Sequence, residues 1–309
     1  MPDPATARTP VISPLVIGLV NNMPDAALRA TERQFRRVLL AAGTARPIHI
    51  RRISLPGVNR AAWGDDIIAA EYEPFRGIGG TRLDGLIVTG TEPGRGRLED
   101  EPYWNGFTAL VDFAVRQSIP TLWSCLAAHA AVRWLDGLER RPLGRKLTGV
   151  FDCERASPHP VMRRLPPRWT VPHSRYNDLA EADLASAGYR VLSRSPEAGV
   201  DSFTRLGDDL FMFLQGHPEY SADALLREYR RDLLRVQRAE RPGPAPMPQH
   251  YFTPAAEAAM PLEPATDSVR PPAWQEPALQ FYTGWLAQVE AQGTLLMQRH
   301  AGRERRACA

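Results

Sequence analysis

Apolar residues fall along this chain in two alternating textures. Leu15 to Val20, Leu86 to Val88, Thr121 to Trp123 and Leu210 to Leu214 are short runs with scarcely a polar residue, as expected of strands buried on both faces of a parallel sheet. Between them the spacing turns helical. Leu28, Phe35, Val38, Leu39 and Ala42 share one face of residues 25 to 42, with Gly43 as a stop signal, and Phe107, Leu110, Val111, Ala114 and Val115 share one face of a later helix. Residues 47 to 53 and 83 to 89 complete the early strands, and 187 to 206 read as further strands before the Leu210 run. This order predicts an α/β fold with a mostly parallel, doubly wound sheet flanked by helices. The apolar run from Pro10 to Val20 follows Arg8 but is read as the first strand and not as a secretion signal. Pro14 interrupts it, and residues 21 to 25 offer no small-residue cleavage site. No stretch has the length needed to span a bilayer.

Beyond Leu234 the texture changes, because nine of the 29 prolines fall between residues 242 and 272. Such a piece is expected to be neither regular helix nor central strand. His250-Tyr251-Phe252 and Trp274 supply apolar anchors, so it is read as an ordered strap. A helix over 275 to 291 should follow, with Leu279, Tyr282, Leu286 and Val289 inward, and then a basic, frayed end from Arg299. The organisation expected is a flexible N-terminus over 1–13, one α/β domain over 14–236, a strap and terminal helix over 237–292 packed on that domain, and a basic tail over 293–309.

Candidate chemistry sits where apolar runs end. The Thr121 run stops at Ser124-Cys125, and the Ala-rich Leu126-Ala-Ala-His129-Ala-Ala reads as a helix beginning at once. A thiol on such a strand-to-helix elbow stands above the carboxyl end of the sheet, where the helix N-terminus favours thiolate. The backbone NH of Leu126 could form half of an oxyanion hole. The Leu210 run leads into Gly216-His217-Pro218-Glu219. Parallel strands end on one rim, so His217 can meet Cys125 and accept its proton, while Glu219 holds the imidazole in one tautomer. Together these residues outline a Cys-His-Glu triad.

Composition narrows the setting. Three cysteines at 125, 153 and 308 are too few and too widely spaced for a disulfide framework, and they show no metal-ligand spacing. A reducing, cytoplasmic compartment is expected. Thirty-eight basic against 35 acidic residues give a formal charge of +3, with no basic stripe for nucleic acid. Lys146 is the only lysine among those basic residues. It reads either as a compact cation required at that place or as the survivor of a drift toward arginine.

Asn22-Met-Pro24, Leu86-Ile-Val-Thr-Gly90, Pro102-Tyr-Trp104, Trp123-Ser-Cys125-Leu-Ala-Ala, Lys146-Leu-Thr-Gly-Val150, Pro172-His-Ser-Arg-Tyr176, Gly216-His-Pro-Glu-Tyr220 and Phe281-Tyr-Thr-Gly-Trp285-Leu occur in that order. From about Pro14 to about Val289 the chain thereby resembles the homoserine O-succinyltransferase family. The resemblance implies the fold of class I glutamine amidotransferases. It further implies transfer of an acyl group from succinyl-CoA, or acetyl-CoA, through a thioester on Cys125 to an amino-acid hydroxyl, in methionine biosynthesis. No bound cofactor is implied, the partners are small-molecule substrates and neither nucleic acid nor membrane, and a homodimer is the expected assembly. Lys146, Ser174 and Arg231 fall at substrate-contacting positions of the family, and Gly94 at the position that separates succinyl from acetyl donors. Arg231 lies almost opposite the apolar stripe Leu225, Leu226, Tyr229 and Leu233 of its helix, so it either is solvated or borders the pocket, under the strap. The chain departs from the family in carrying Asp25-Ala26 where many relatives have a lysine pair, and in the acidic Glu92. Serine or another hydroxy amino acid stays open as acceptor. Amide hydrolysis of the glutamine amidotransferase type is the other alternative, although Ser124 and Ala127 replace the glycines usual around that elbow.

Overall fold

In the computed structural model, residues 13–77, 82–92, 96–240, 242–259 and 265–307 are described. The chain lays down β1 (Leu15–Val20), α1 (Asp25–Ala42), β2 (Ile48–Ser54), α2 (Ala62–Glu71), β3 (Glu73–Pro74), β4 (Gly85–Val88), α3 (Trp104–Arg116), β5 (Thr121–Ser124) and α4 (Leu126–Asp136). Then come β6 (Arg141–Arg155), β7 (Arg168–Asp178), α5 (Glu181–Ser186), β8 (Tyr189–Ser195), β9 (Gly199–Arg205), β10 (Asp208–Leu214), α6 (Ala224–Gln237), α7 (Pro254–Ala259) and α8 (Gln275–Ala307).

All ten strands form one sheet in the order β3-β2-β1-β4-β5-β10-β9-β8-β6-β7. The first six are mutually parallel, and from β10 onward every pairing is antiparallel. Alternate residues of the central strands feed two cores. Val88, Trp123 and Phe213 join α3 and α4 on one face, whereas Ile17, Ile87, Leu122 and Met212 join Phe35 of α1 and Tyr282, Trp285 and Leu286 of α8 on the other. Burial on both faces is why these strands read as unbroken apolar runs.

Several details differ from the sequence expectation. Val115 is 44% exposed, because only the Phe107, Leu110, Val111 and Ala114 side of α3 meets the core. On α8 the inward stripe is Ala278, Phe281, Tyr282, Trp285, Leu286 and Val289. The large rings of Phe281 and Trp285 turn the helix so that Leu279 is only half-buried. This helix continues to Ala307, through the stretch expected to fray. The proline-rich segment does contain a helix, the six-residue α7, because Pro254 occupies its first position, where a missing NH leaves no bond unmade.

Of the anchors expected for the strap, His250 is exposed and the other three are buried. Tyr251, Phe252 and Trp274 pack with Val150, Leu225 and Leu226. Gln249 exchanges hydrogen bonds with β6, donating to Thr148 O and accepting from Val150 N, each at 2.9 Å. Gly149 permits this crossing, since its φ is +149° and a Cβ there would lie 2.4 Å from Gln249 O. Gly149→Ala is therefore expected to lift the strap and lower stability by about 1–3 kcal/mol, read as a reduced midpoint in urea denaturation.

Candidate active site

The register between β5 and β10 brings the two ends of the chemistry together. Ser124 pairs with Leu214, and the amide of Cys125 donates to Leu214 O at 2.7 Å. Cys125 is thus the first residue past one strand, and His217 lies just past its neighbour. At Cys125 the chain turns with φ +53° and ψ −112° directly into α4. A non-glycine residue in this conformation is strained, and such strain gathers at functional positions. Leu126 opens α4, so its amide belongs to the first-turn donors that have no acceptor within the helix. Gly90, two residues past β4, approaches so closely that a Cβ would stand 3.0 Å from the Leu126 nitrogen.

His217 is held from both sides. Its amide donates to Pro172 O of β7 at 2.7 Å, and its ring stacks on Tyr220 with centroids 4.3 Å apart. Nδ1 lies 2.8 Å from Glu219 Oε1. A carboxylate only accepts, so Nδ1 carries the proton and Nε2 is left as the ring's acceptor, and Cys125 lines the same cavity as this ring. Burial works against a charged ring here, but the Cys125 sulfur and the Glu219 carboxylate outweigh it and hold the His217 pKa well above its ordinary value. The charged form of the ring is therefore favoured in this setting.

The facing wall comes from the β6–β7 hairpin and α6. Thr148 pairs with Ser174, so Lys146 and Ser174 stand on one face of the hairpin. Lys146 is buried and donates to Asp232 at 2.8 Å and to Glu228 at 3.2 Å. Burial would discharge it, yet these two carboxylates raise its pKa. Glu228 also accepts from the hydroxyls of Ser174 and Tyr220. Burial raises the Glu228 pKa, but Lys146, Ser174 and Tyr220 pull it down to about 2. Arg231 reaches the same cavity with its Nε buried and without a hydrogen-bond partner. The strap covers the opposite, Leu225–Leu226 face of α6, so Arg231 borders the pocket without lying beneath the strap.

One cavity of about 150 Å³ is thus lined by Cys125, Leu126, His217, Glu219, Lys146, Ser174 and Arg231. Gly94 lies outside the described residues. Glu92, the acidic departure, lines the cavity while accepting both guanidinium nitrogens of Arg235. Asp25, the other departure, accepts from the Ala61 amide at 2.6 Å, at the start of α2. His129 is buried against Gln215 Oε1 at 2.8 Å, and burial holds its pKa near about 3, so it is a neutral ring in the cavity wall.

Sequence reading missed Glu228, Asp232, Arg235 and Tyr220. The first three, with Arg231, repeat at i, i+3, i+4 and i+7, a polar stripe opposite the apolar one. That stripe is the available signal, but it has the same form as a solvated helix face. A second, larger cavity shares Glu92, Tyr176, Asn177 and Arg235 with the first and is bordered by Arg97, Arg133 and Arg140. Among the described residues no helix is long and apolar enough to cross a membrane.

A family model described as homoserine O-succinyltransferase matches residues 1–295. A homoserine O-succinyltransferase of Methylorubrum extorquens is 44% identical over 91% of this chain and 88% of its own. One of Rhodopseudomonas palustris is 49% identical over 76% of this chain and 71% of its own. Among solved structures, a glutamine amidotransferase from Thermotoga maritima aligns with a TM-score of 0.53 at 14% identity, over 89% of this chain and 97% of its own. A second, from Methylobacillus flagellatus, has a TM-score of 0.53 at 17% identity over 89% and 95%. These two structures establish the fold, that of the class I glutamine amidotransferases.

Proposed function

The chain belongs to the homoserine O-succinyltransferase family, and from that premise we propose that it transfers the succinyl group of succinyl-CoA to the hydroxyl of L-homoserine through a thioester on Cys125. The observation that carries the mechanism is Cys125 at a strained elbow in one cavity with the His217–Glu219 pair, facing a wall of cationic and hydroxyl groups.

In the first half-reaction the Cys125 thiolate attacks the thioester carbonyl. The oxyanion of the tetrahedral intermediate lies toward the Leu126 amide, a first-turn donor without an acceptor in its helix. CoA departs as its thiol with the proton of the His217 imidazolium, leaving the succinyl group on sulfur and His217 neutral. In the second half, His217 takes the proton of the homoserine hydroxyl as its oxygen attacks the acyl carbon. The Cys125 sulfur leaves as thiolate beside the regenerated imidazolium, and O-succinyl-L-homoserine is released. Glu219 keeps the ring in the tautomer that both steps require.

The unpartnered Arg231 Nε is matched to the carboxylate of the amino acid. Glu228 holds Lys146 and Ser174 in place at the same wall. The larger adjoining cavity, where Arg140 Nη1 is buried without a partner, offers the CoA arm a path out. Arg231→Ala is expected to raise the homoserine KM by about 10- to 100-fold with a smaller change in kcat, as for loss of a charge-assisted bond made in ground and transition states alike. Steady-state kinetics at saturating succinyl-CoA give that split.

The deciding assay follows CoA release by the purified protein with succinyl-CoA or acetyl-CoA against homoserine, serine and threonine. Parallel initial-rate lines with succinyl-CoA and homoserine, and a succinyl mass on Cys125 when the acceptor is withheld, are expected. Intersecting lines without that adduct contradict the thioester route, and preferred turnover of acetyl-CoA or of serine contradicts the substrate assignment.

A further inference from the structure

Close to Gly216-His217, three side chains that the transfer reaction does not use converge from three strands. Cys153 of β6, His173 of β7 and Asp201 of β9 each present a ligand-type atom within 4.8 Å of the other two. All three residues are buried, with 1%, 0% and 5% exposure. Asp201 Oδ1 and both ring nitrogens of His173 have no hydrogen-bond partner. His173 Nε2 and Asp201 Oδ1 face each other at 3.4 Å without the alignment of a hydrogen bond. Burying such groups without a hydrogen bond is costly, so a structure that brings them together calls for a partner.

We propose that Cys153, His173 and Asp201 bind a divalent transition-metal ion of the zinc type. Thiolate, imidazole and carboxylate are the donors that zinc accepts in proteins, and two such donors about 2.0–2.1 Å from a tetrahedral ion stand about 3.4 Å apart. Charge closes as well. A dication with one thiolate, one carboxylate and a neutral imidazole sums to zero. Ser193 Oγ donates to the other carboxylate oxygen, Oδ2, at 2.6 Å, the kind of outer contact that orients a ligating carboxylate. Asp201 also borders a void of about 20 Å³, room for one water. On binding, the Cys153 S–H bond breaks, its proton passes to solvent, and a sulfur–metal bond forms.

The consequence for the enzyme is positional. A Cβ at Gly216 would lie 2.6 Å from Asp201 Oδ1 and 2.9 Å from His173 Nε2, and the next amide, that of His217, is already bonded to Pro172 O. The ion therefore ties β6, β7 and β9 together directly against the segment that carries the catalytic imidazole.

The test uses the full-length chain in a Cys125→Ala, Cys308→Ala background, in which Cys153 is the only thiol. Chelator-treated protein is titrated with Co²⁺. Uptake of about one ion per chain with about one proton released, a thiolate-to-cobalt charge-transfer band and tetrahedral d–d bands are expected. Zn²⁺ should bleach the bands, and Asp201→Asn should weaken or abolish them. Folded protein, by circular dichroism, that takes up no Co²⁺, or bands unchanged in Asp201→Asn, overturns the assignment. Should the background variant fail to fold, the wild-type chain compared with Asp201→Asn gives the same answer. Neither result depends on acyl transfer.

Discussion

Replacing Cys125 with alanine is expected to lower kcat by about 10⁴-fold or more, the scale set by nucleophiles whose triads act as a unit, and to abolish the succinyl adduct seen by intact-protein mass spectrometry. The geometry gives this prediction its size. In the proposed mechanism Cys125 provides the sulfur that carries the acyl group between the two half-reactions, and neither nearby serine replaces it: Ser124 is buried on the preceding strand, and Ser174 is committed to Glu228. Removing the sulfur should leave folding intact, because the Cys125 amide and carbonyl, not its side chain, bond to Leu214, Ala128 and His129. Alanine still has to adopt φ +53°, so a small loss of stability is expected alongside the loss of activity. Thermal unfolding separates the two. A variant that retains more than about a hundredth of wild-type kcat removes the covalent route.

Glu219→Gln is the second large effect, with kcat expected to fall about 10³- to 10⁴-fold while the fold is retained, by the logic of a triad carboxylate replaced by its amide. Glu219 Oε1 receives Nδ1–H of His217, and Oε2 is buried without a partner. A glutamine must either turn its NH₂ toward Nδ1, forcing the proton onto Nε2, or bury that NH₂ unpaired. The pH profile identifies the cause. In the wild type the Cys125 sulfur and the Glu219 carboxylate together raise the His217 pKa against burial. Loss of one anion lowers it, so the alkaline limb of the acylation step, where the imidazolium loses its proton, should move to lower pH. Stability follows the same sign. The contribution of a raised imidazole pKa is fully present below the unfolded-state value and is lost as pH rises through the folded one, so it should shrink in Glu219→Gln. An unshifted alkaline limb would assign that titration to a different group.

Much of the architecture is legible along the chain because it depends on local patterns. The runs at Leu15, Leu86, Thr121 and Leu210 appear as strands, and helices form at 25–42 and around the Phe107–Ala114 face, with Val115 the exception, turned to solvent. A parallel sheet buried on both faces writes its strands as apolar runs, and an amphipathic helix writes its contact face at intervals of three and four. The β6–β7 hairpin escapes this reading. Its residues, Arg-Pro-Leu-Gly-Arg-Lys in β6 and Pro-His-Ser-Arg in β7, are polar because the hairpin lines a cavity and includes the outermost strand of the sheet.

The candidate site divides in the same way. Cys125, His217 and Glu219 stand at the ends of apolar runs, so their placement on a common rim follows from strand order and chain direction alone. The grouping of Lys146, Glu228, Arg231 and Asp232 was decided by the packing of α6 against the hairpin, and the meeting of Cys153, His173 and Asp201 by the strand order β9-β8-β6-β7. Periodicity records whether a residue is buried, since burial selects for apolar character at each position separately. It does not record which distant polar residue will be its neighbour, because that depends on the register and docking of whole elements, to which every other residue contributes.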